Sequence, residues 1–299
     1  MSLTFKDSRN AIAIAKIRES QRVIYLLPDS DVFQEIPKSN IHSTNYKCPY
    51  CKKVMASKGT LIYHLSHEGV CPKKSSITMD TKPSITLKPE EQLIKIPLPI
   101  EEHEIILITG PPKCGKTYWI NEQVKMYHAM YDNFRVFLFT RHEQDETLKN
   151  DMSNYIHIPI TDDIIKDPFK LEDFTNSLVI FDDIESSEFP KATAKAYALL
   201  DDLCKNGRHH RTAVMFCNQE CRMGKKTKPI LSTVTSYVIF PKACERYQTH
   251  NLLKEHMGMF SAYIDKLLSM PTRWMILSRM HPQYVMYEGG VFMMNKEIY

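Results

Sequence analysis

No apolar stretch of this sequence is long enough to cross a membrane. The longest, around residues 93–109, is broken by Lys95, Pro97, Pro99, Glu101 and Glu102, whereas a spanning helix needs about 20 consecutive apolar residues. The opening MSLTFKDSRN has no apolar core of the kind a signal peptide carries. Charge of one sign is also lacking. A net charge of +4 over 299 residues leaves any polyanion to be met by local basic clusters, not by the whole surface. With 43% hydrophobic and 25% charged residues, the composition is that of an ordinary globular protein, long enough for one substantial domain and a smaller one. The eight cysteines, with no signal peptide before them, point to a reducing compartment, where a cysteine cluster binds metal. The expectation is a soluble intracellular protein with no membrane partner.

What is present centres on residues 104–118, EIILITGPPKCGKTY. The run Ile105 to Thr109 reads as a strand buried on both faces. It is followed by Gly110, Pro111, Pro112, Lys113, Cys114, Gly115, Lys116 and Thr117, the pattern G-x-x-x-x-G-K-[ST] between a strand and a helix. The two glycines let the backbone curl so that its N–H groups face inward around phosphate oxygens. The helix running from Tyr118 to Tyr131 adds the positive end of its dipole. Lys116 is placed to reach the β- and γ-phosphates and Thr117 to hold Mg²⁺. Cys114 is a thiol in a phosphate loop, either sensitive to oxidation or simply a small residue that fits.

Downstream, strands and helices alternate. RVFLFT (135–140) and NYIHIPI (154–160) read as strands, and 161–174 as helical with a break at Pro168. In SLVIFDDIE, four apolar residues carry Asp182 to the end of a buried strand, as a magnesium ligand acting through water. Asp183 is next to it, placed to orient or deprotonate the attacking water, with Glu185 a weaker candidate. An alanine-rich helix (191–203) precedes GRHHRTAVMFCNQE (207–220), where another buried strand ends at Asn218 and Gln219. A polar side chain there can sense the γ-phosphate. A strand at 234–240, helices near 243–257 and 260–269, a strand at 273–280 and a hairpin at 283–294 turning at Gly289-Gly290 complete the sheet.

Ahead of this domain, residues 46–74 resemble a zinc finger. Cys48 and Cys51 are followed after twelve residues by His64, with Met55 and Leu61 as a small core. The fourth ligand is ambiguous. His67 follows His64 too closely, and Cys71 is favoured because Gly69 can end the helix and let the chain turn back. Zinc would supply much of the folding energy of so short a segment. Its lysines suit contact with nucleic acid or protein. Residues 1–45 read as an N-terminal segment with a short helix over 7–21, and residues 75–92 as a linker, leaving 93–299 as the phosphate-loop domain.

The succession GPPKCGKT, VIFDDIE and GRHHRTAVMFCNQ is similar to the genome-packaging ATPases of large double-stranded DNA viruses, the poxvirus type, with relatives in virophages and Polinton-like elements. All are of the FtsK–HerA class. The resemblance covers roughly 100–290, including the tail PQYVMYE, and leaves the zinc finger outside the family pattern. It implies a RecA-like, ASCE-type α/β P-loop sheet flanked by helices, with ATP and Mg²⁺ as cofactors alongside Zn²⁺ in the finger. In the nucleotide site it implies Lys116, Thr117 and Tyr118 at ATP, Asp182 at Mg²⁺, Asp183 as catalytic acid and Gln219 as sensor. Arg208 matches the family's Gly-Arg element, either as an arginine finger reaching a neighbouring subunit or as a helix-terminal arginine. The implied partners are double-stranded DNA, further copies in a homo-oligomeric ring, and capsid proteins, in a host cytoplasm, viral factory or virion. The basic stretch Arg222, Lys225, Lys226 and Lys228 is either pore-lining or a solvated loop. Another nucleic-acid-dependent ATPase of helicase type, or a nucleotide-switched DNA- or protein-binding adaptor, remains as the alternative; the sequence has no recognisable set of helicase motifs.

Overall fold

The computed structural model describes residues 2–7, 11–27, 46–47, 54–55, 84–141, 155–186, 188–219 and 228–294. Two compact units result: residues 29–82, and residues 1–28 together with 83–299. In the first unit, β4 (Tyr46–Lys47) pairs antiparallel with β5 (Val54–Met55). Cys48, Cys51, His64, His67 and Cys71 lie outside the described residues, as do Arg222, Lys225 and Lys226.

The larger unit begins with β1 (Ser2–Thr4), β2 (Ile12–Ile17) and β3 (Val23–Leu27). After β6 (Ser84–Thr86) comes β7 (Leu93–Lys95), which joins the first three in a sheet of order β1-β3-β2-β7. Within the helix expected over 7–21, Ile12–Ile17 is therefore a strand. The register shifts between Ala13 and Ala15, so Ile14 and Ala15 are buried in succession. Such a bulge breaks the two-residue alternation by which a strand is read. Part of the expected linker is structured as well, since Ser84–Thr86 pairs with the last strand of the main sheet.

That main sheet starts with β8 (Ile105–Thr109), followed by α1 (Lys116–Met130), β9 (Arg135–Thr140) and β10 (Ile156–Pro159). Next come α2 (Asp163–Lys166), β11 (Ser177–Asp182), α3 (Pro190–Asn206), β12 (Thr212–Asn218) and α4 (Lys228–Thr233). The chain closes with β13 (Ser236–Ile239), α5 (Arg246–Met257), α6 (Ser261–Leu268), β14 (Met275–Ser278), β15 (Tyr284–Tyr287) and β16 (Gly290–Met293). The order is β10-β9-β11-β12-β8-β13-β14-β15-β16-β6. From β10 to β13 every pairing is parallel, and from β13 to β6 every pairing is antiparallel.

The central strands are apolar on both faces because both faces are covered. Every residue of β8 and β12 is buried, as a parallel sheet between two layers requires. On one face Ile106, Ile108, Leu138, Ile180 and Met215 share a core with Trp119, Ile120, Val124 and Tyr127 of α1, and with Ile14, Ile17 and Ile24 of the N-terminal sheet. On the other, Phe139 stacks on Phe181 at 4.8 Å, and Phe137 meets Phe174 edge-on at 4.9 Å.

One buried ion pair joins the two sheets. Lys95 on β7 and Glu104, just before β8, are 1% and 2% exposed, with Nζ and Oε1 2.5 Å apart. Tyr127 O–H (3.1 Å) and the Leu98 N–H (3.3 Å) donate to the other carboxylate oxygen. Burial, then the charge of Glu104, pushes the Tyr127 hydroxyl pKa well up, so that it remains a donor. Among the described residues, no helix is long and apolar enough to cross a membrane.

Candidate functional site: a phosphate loop between two flanks

Parallel strands deliver their C-terminal ends to one edge, and the site lies there. The loop from 110 to 115 leaves β8 and enters α1 at Lys116. The Gly110 N–H donates to the carbonyl of Asn218 on the neighbouring β12 (3.2 Å), which pins the start of the loop. A Cβ at Gly110 would fall 2.7 Å from Cys114 Sγ, so glycine here is a packing requirement that Cys114 itself imposes. Gly115 caps α1 with φ 113°, a conformation side chains resist. The Lys116 ammonium is buried and donates to the carbonyls of Gly110 (2.6 Å) and Pro111 (3.2 Å). It is folded back into the loop it would share with phosphate. Burial raises the Cys114 thiol pKa and the nearby Lys116 charge only partly opposes this. The geometry thus favours the packing role of Cys114 over an activated thiol.

Asp182 ends β11, in register with Cys217 of β12 and Thr140 of β9. The Cys217 thiol is pushed well up, by burial first and then by the neighbouring Asp182 carboxylate. Asp183 follows with φ 48°, a left-handed residue of the kind that clusters where side chains must be aimed. Its Oδ2 accepts a 3.1 Å hydrogen bond from Gln219 Nε2. Because β12 lies between β8 and β11, the two residues that sequence assigned to water and sensing meet beside the loop. Glu185 points elsewhere in function: its Oε1 accepts the Tyr197 hydroxyl (3.0 Å) from α3.

Arg208 is not in this cluster. It is exposed in a single turn at Gly207–His210, before β12 begins. The seven residues of β12 place it about 20 Å from its own loop, at ~3.3 Å per residue. Gly207 has a packing reason of its own, since a Cβ there would come 2.6 Å from His103 Cε1. The His103 ring nitrogens lie 2.6 Å from the Thr212 carbonyl and 3.2 Å from that of Cys204.

Two residues were given no role of their own by the sequence reading. Asn218 is 3% exposed, and its side-chain N–H group has no hydrogen-bond partner among the described residues. An orphaned amide donor beside a phosphate loop fits an anion. Its signal was the polar end of an otherwise apolar strand, where Gln219 drew the assignment. Arg273 stands just before β14, its guanidinium 3.3 Å from where a Gly115 Cβ would be and 5.7 Å from the Tyr118 ring centre. Only the antiparallel pairing of β14 with β13 brings it to this edge, and nothing local in RWMILSRM announces that.

With this geometry in view, comparison with known proteins is informative. No family model matches the chain. The uncharacterized protein V3 of Sputnik virophage is 27% identical over 204 residues, 68% of this chain and 81% of that protein. Among solved structures, the genome-packaging NTPase B204 of Sulfolobus turreted icosahedral virus 2, in complex with AMPPCP, has a TM-score of 0.44 at 13% identity, covering 62% of this chain and 96% of that one. The cytoplasmic domain of the type VII secretion ATPase EccC of Thermomonospora curvata has a TM-score of 0.46 at 12% identity, covering 70% of this chain and 28% of that one.

Proposed function

We propose that this protein hydrolyses ATP and couples the hydrolysis to movement of double-stranded DNA, packaging a viral genome into a capsid. The observation that carries the enzymatic part is the Gln219–Asp183 hydrogen bond at 3.1 Å, at the same sheet edge as Lys116. In this reading the loop N–H groups, the α1 dipole and Lys116 bind the β- and γ-phosphates. Gln219 orients a water that Asp183 accepts a proton from. The water oxygen bonds to the γ-phosphorus as the bond from that phosphorus to the β–γ bridging oxygen breaks, releasing ADP and inorganic phosphate. Asn218 supplies a donor for charge that builds on the γ-phosphoryl oxygens.

A hydroxyl and a carboxylate beside phosphate oxygens are hard oxygen donors that fit Mg²⁺, and Thr117 and Asp182 would hold it. Held there, the ion would supply positive charge against that of the phosphates. Arg208, too far to serve its own site, acts on that of a neighbouring subunit in a ring. The DNA-moving part rests on the sequence resemblance across GPPKCGKT, VIFDDIE and GRHHRTAVMFCNQ. The β4–β5 pairing, which flanks Cys48 and Cys51 in sequence, supports a zinc finger completed by His64 and Cys71 or His67.

The test is ATP hydrolysis by wild type and Asp183→Asn, with nucleotide binding measured in parallel. Retained binding with turnover reduced about 10²-fold or more is expected. Equal turnover in the two proteins would remove Asp183 from the chemistry.

A further inference from the structure

The residues for γ-phosphate chemistry all lie on one flank of the loop. Asp182 ends β11 and Asp183 follows it, and Asn218 ends β12 and Gln219 follows it; both strands lie on the same side of β8. On the other side are β13 and β14, and there a cleft of about 580 Å³, counted to its open mouth, adjoins the loop. Its lining includes Gly115 and Tyr118 from the start of α1, Arg273 and Trp274 from the start of β14, Gln92 from the approach to β7, and Glu288.

We propose that this cleft holds the base and ribose of the nucleotide, with the Tyr118–Arg273 stack as the platform for the base. The inference rests on the reading of residues 110–117 as a phosphate loop. A triphosphate whose γ end lies toward β12 extends its nucleoside end across Gly115 toward β13, where the cleft opens. Tyr118 is 50% exposed although aromatic, and its ring already faces the Arg273 guanidinium at 5.7 Å. An exposed ring paired with a flat cation is the arrangement on which a nucleobase stacks. The platform is held from behind: Glu288 Oε2 accepts the backbone N–H of Arg273 (2.7 Å) and the Thr272 hydroxyl (3.3 Å). The Arg18–Glu122 ion pair (2.9 Å) ties the N-terminal sheet to α1 at the cleft wall. The site thus uses residues from a sheet outside the core pattern, and it selects nucleoside triphosphates over bare polyphosphate.

The chain's two tryptophans, Trp119 and Trp274, both line this cleft, so intrinsic fluorescence reports its occupancy without reference to turnover. The experiment titrates the full chain with Mg·ATP and with Mg·tripolyphosphate, by fluorescence and calorimetry. ATP is expected to change tryptophan emission and tripolyphosphate to bind with little change. Tyr118→Ala and Arg273→Ala should each weaken ATP binding about 10- to 100-fold, the worth of one stacked base, with tripolyphosphate affinity altered less than about twofold. Tyr118→Phe, which keeps the ring, should bind ATP as wild type does. Equal losses for both ligands would make Arg273 a phosphate ligand and overturn the proposal, as would unchanged ATP affinity in both alanine variants. If wild type binds neither ligand, the phosphate-loop reading fails and the cleft assignment with it.

Discussion

Replacing Lys95 by methionine tests how the N-terminal sheet is fastened to the main sheet. The methionine fills most of the lysine's volume, but it leaves the Glu104 carboxylate, 2% exposed, without its cation. Tyr127 and the Leu98 N–H still donate to it, so the carboxylate is hydrogen-bonded yet uncompensated. Breaking a buried pair in this way costs about 3–5 kcal/mol, a large part of a typical domain's stability. Urea unfolding followed by Trp119 and Trp274 emission reads the larger unit alone, because both tryptophans belong to it. Adding Glu104→Gln to Lys95→Met removes the charge and retains an acceptor for Tyr127. The double variant is expected to regain about 2 kcal/mol or more of the loss. A Lys95→Met protein within about 1 kcal/mol of wild type, or a double variant as damaged as the single one, would refute the reasoning.

Asn218→Ala should lower turnover about 10²-fold through loss of a transition-state donor, while urea midpoints stay close to wild type because its side-chain N–H group has no partner among the described residues; a stability loss above ~2 kcal/mol would mean a structural role instead. Arg208→Ala should leave ATP binding by the single chain unchanged and abolish turnover by the assembly, and mixing it with Asp183→Asn should restore activity at interfaces that pair an intact Arg208 with an intact Asp183. Gly110→Ala should impair nucleotide binding because its Cβ meets Cys114 Sγ at 2.7 Å, and adding Cys114→Ala should recover part of the loss in a calorimetric titration. Burial holds the Cys204 thiol pKa up at about 12 and that of Cys217 well above the ordinary range. Both should therefore remain protonated and unalkylated by iodoacetamide at pH 8 in the folded protein and react once it is unfolded, read peptide by peptide by mass spectrometry; labelling of native Cys217 would contradict its place against Asp182.

Sequence revealed those parts of the fold whose signals are local. The runs ending at Thr109, Thr140, Phe181 and Cys217 are apolar without alternation because their strands are covered on both faces, and each is a strand within a residue or two of where it was expected. The loop between β8 and α1 was legible because the pattern of glycine and lysine at fixed offsets falls between a strand and a helix. The N-terminal strand was misread because a bulge between Ala13 and Ala15 erases its period. Strand β6 was hidden because Ser84–Thr86 is three residues long and gains its strand character only by pairing with β16. The contact of Gln219 with Asp183, the orphaned amide of Asn218 and the arrival of Arg273 at Gly115 are products of strand order. No spacing along the chain encodes which strand lies between which others, and so these parts of the site were not readable from residues alone.

The central claim is that ATP hydrolysis at Lys116, Asp182 and Asp183 drives movement along double-stranded DNA. It is tested most directly by displacement of a triplex-forming oligonucleotide from linear duplex DNA under conditions where the protein assembles. The account predicts displacement with ATP, none with a non-hydrolysable analogue and none with Asp183→Asn, together with ATP turnover that rises when DNA is added. Turnover indifferent to DNA, with the third strand left in place, would contradict it.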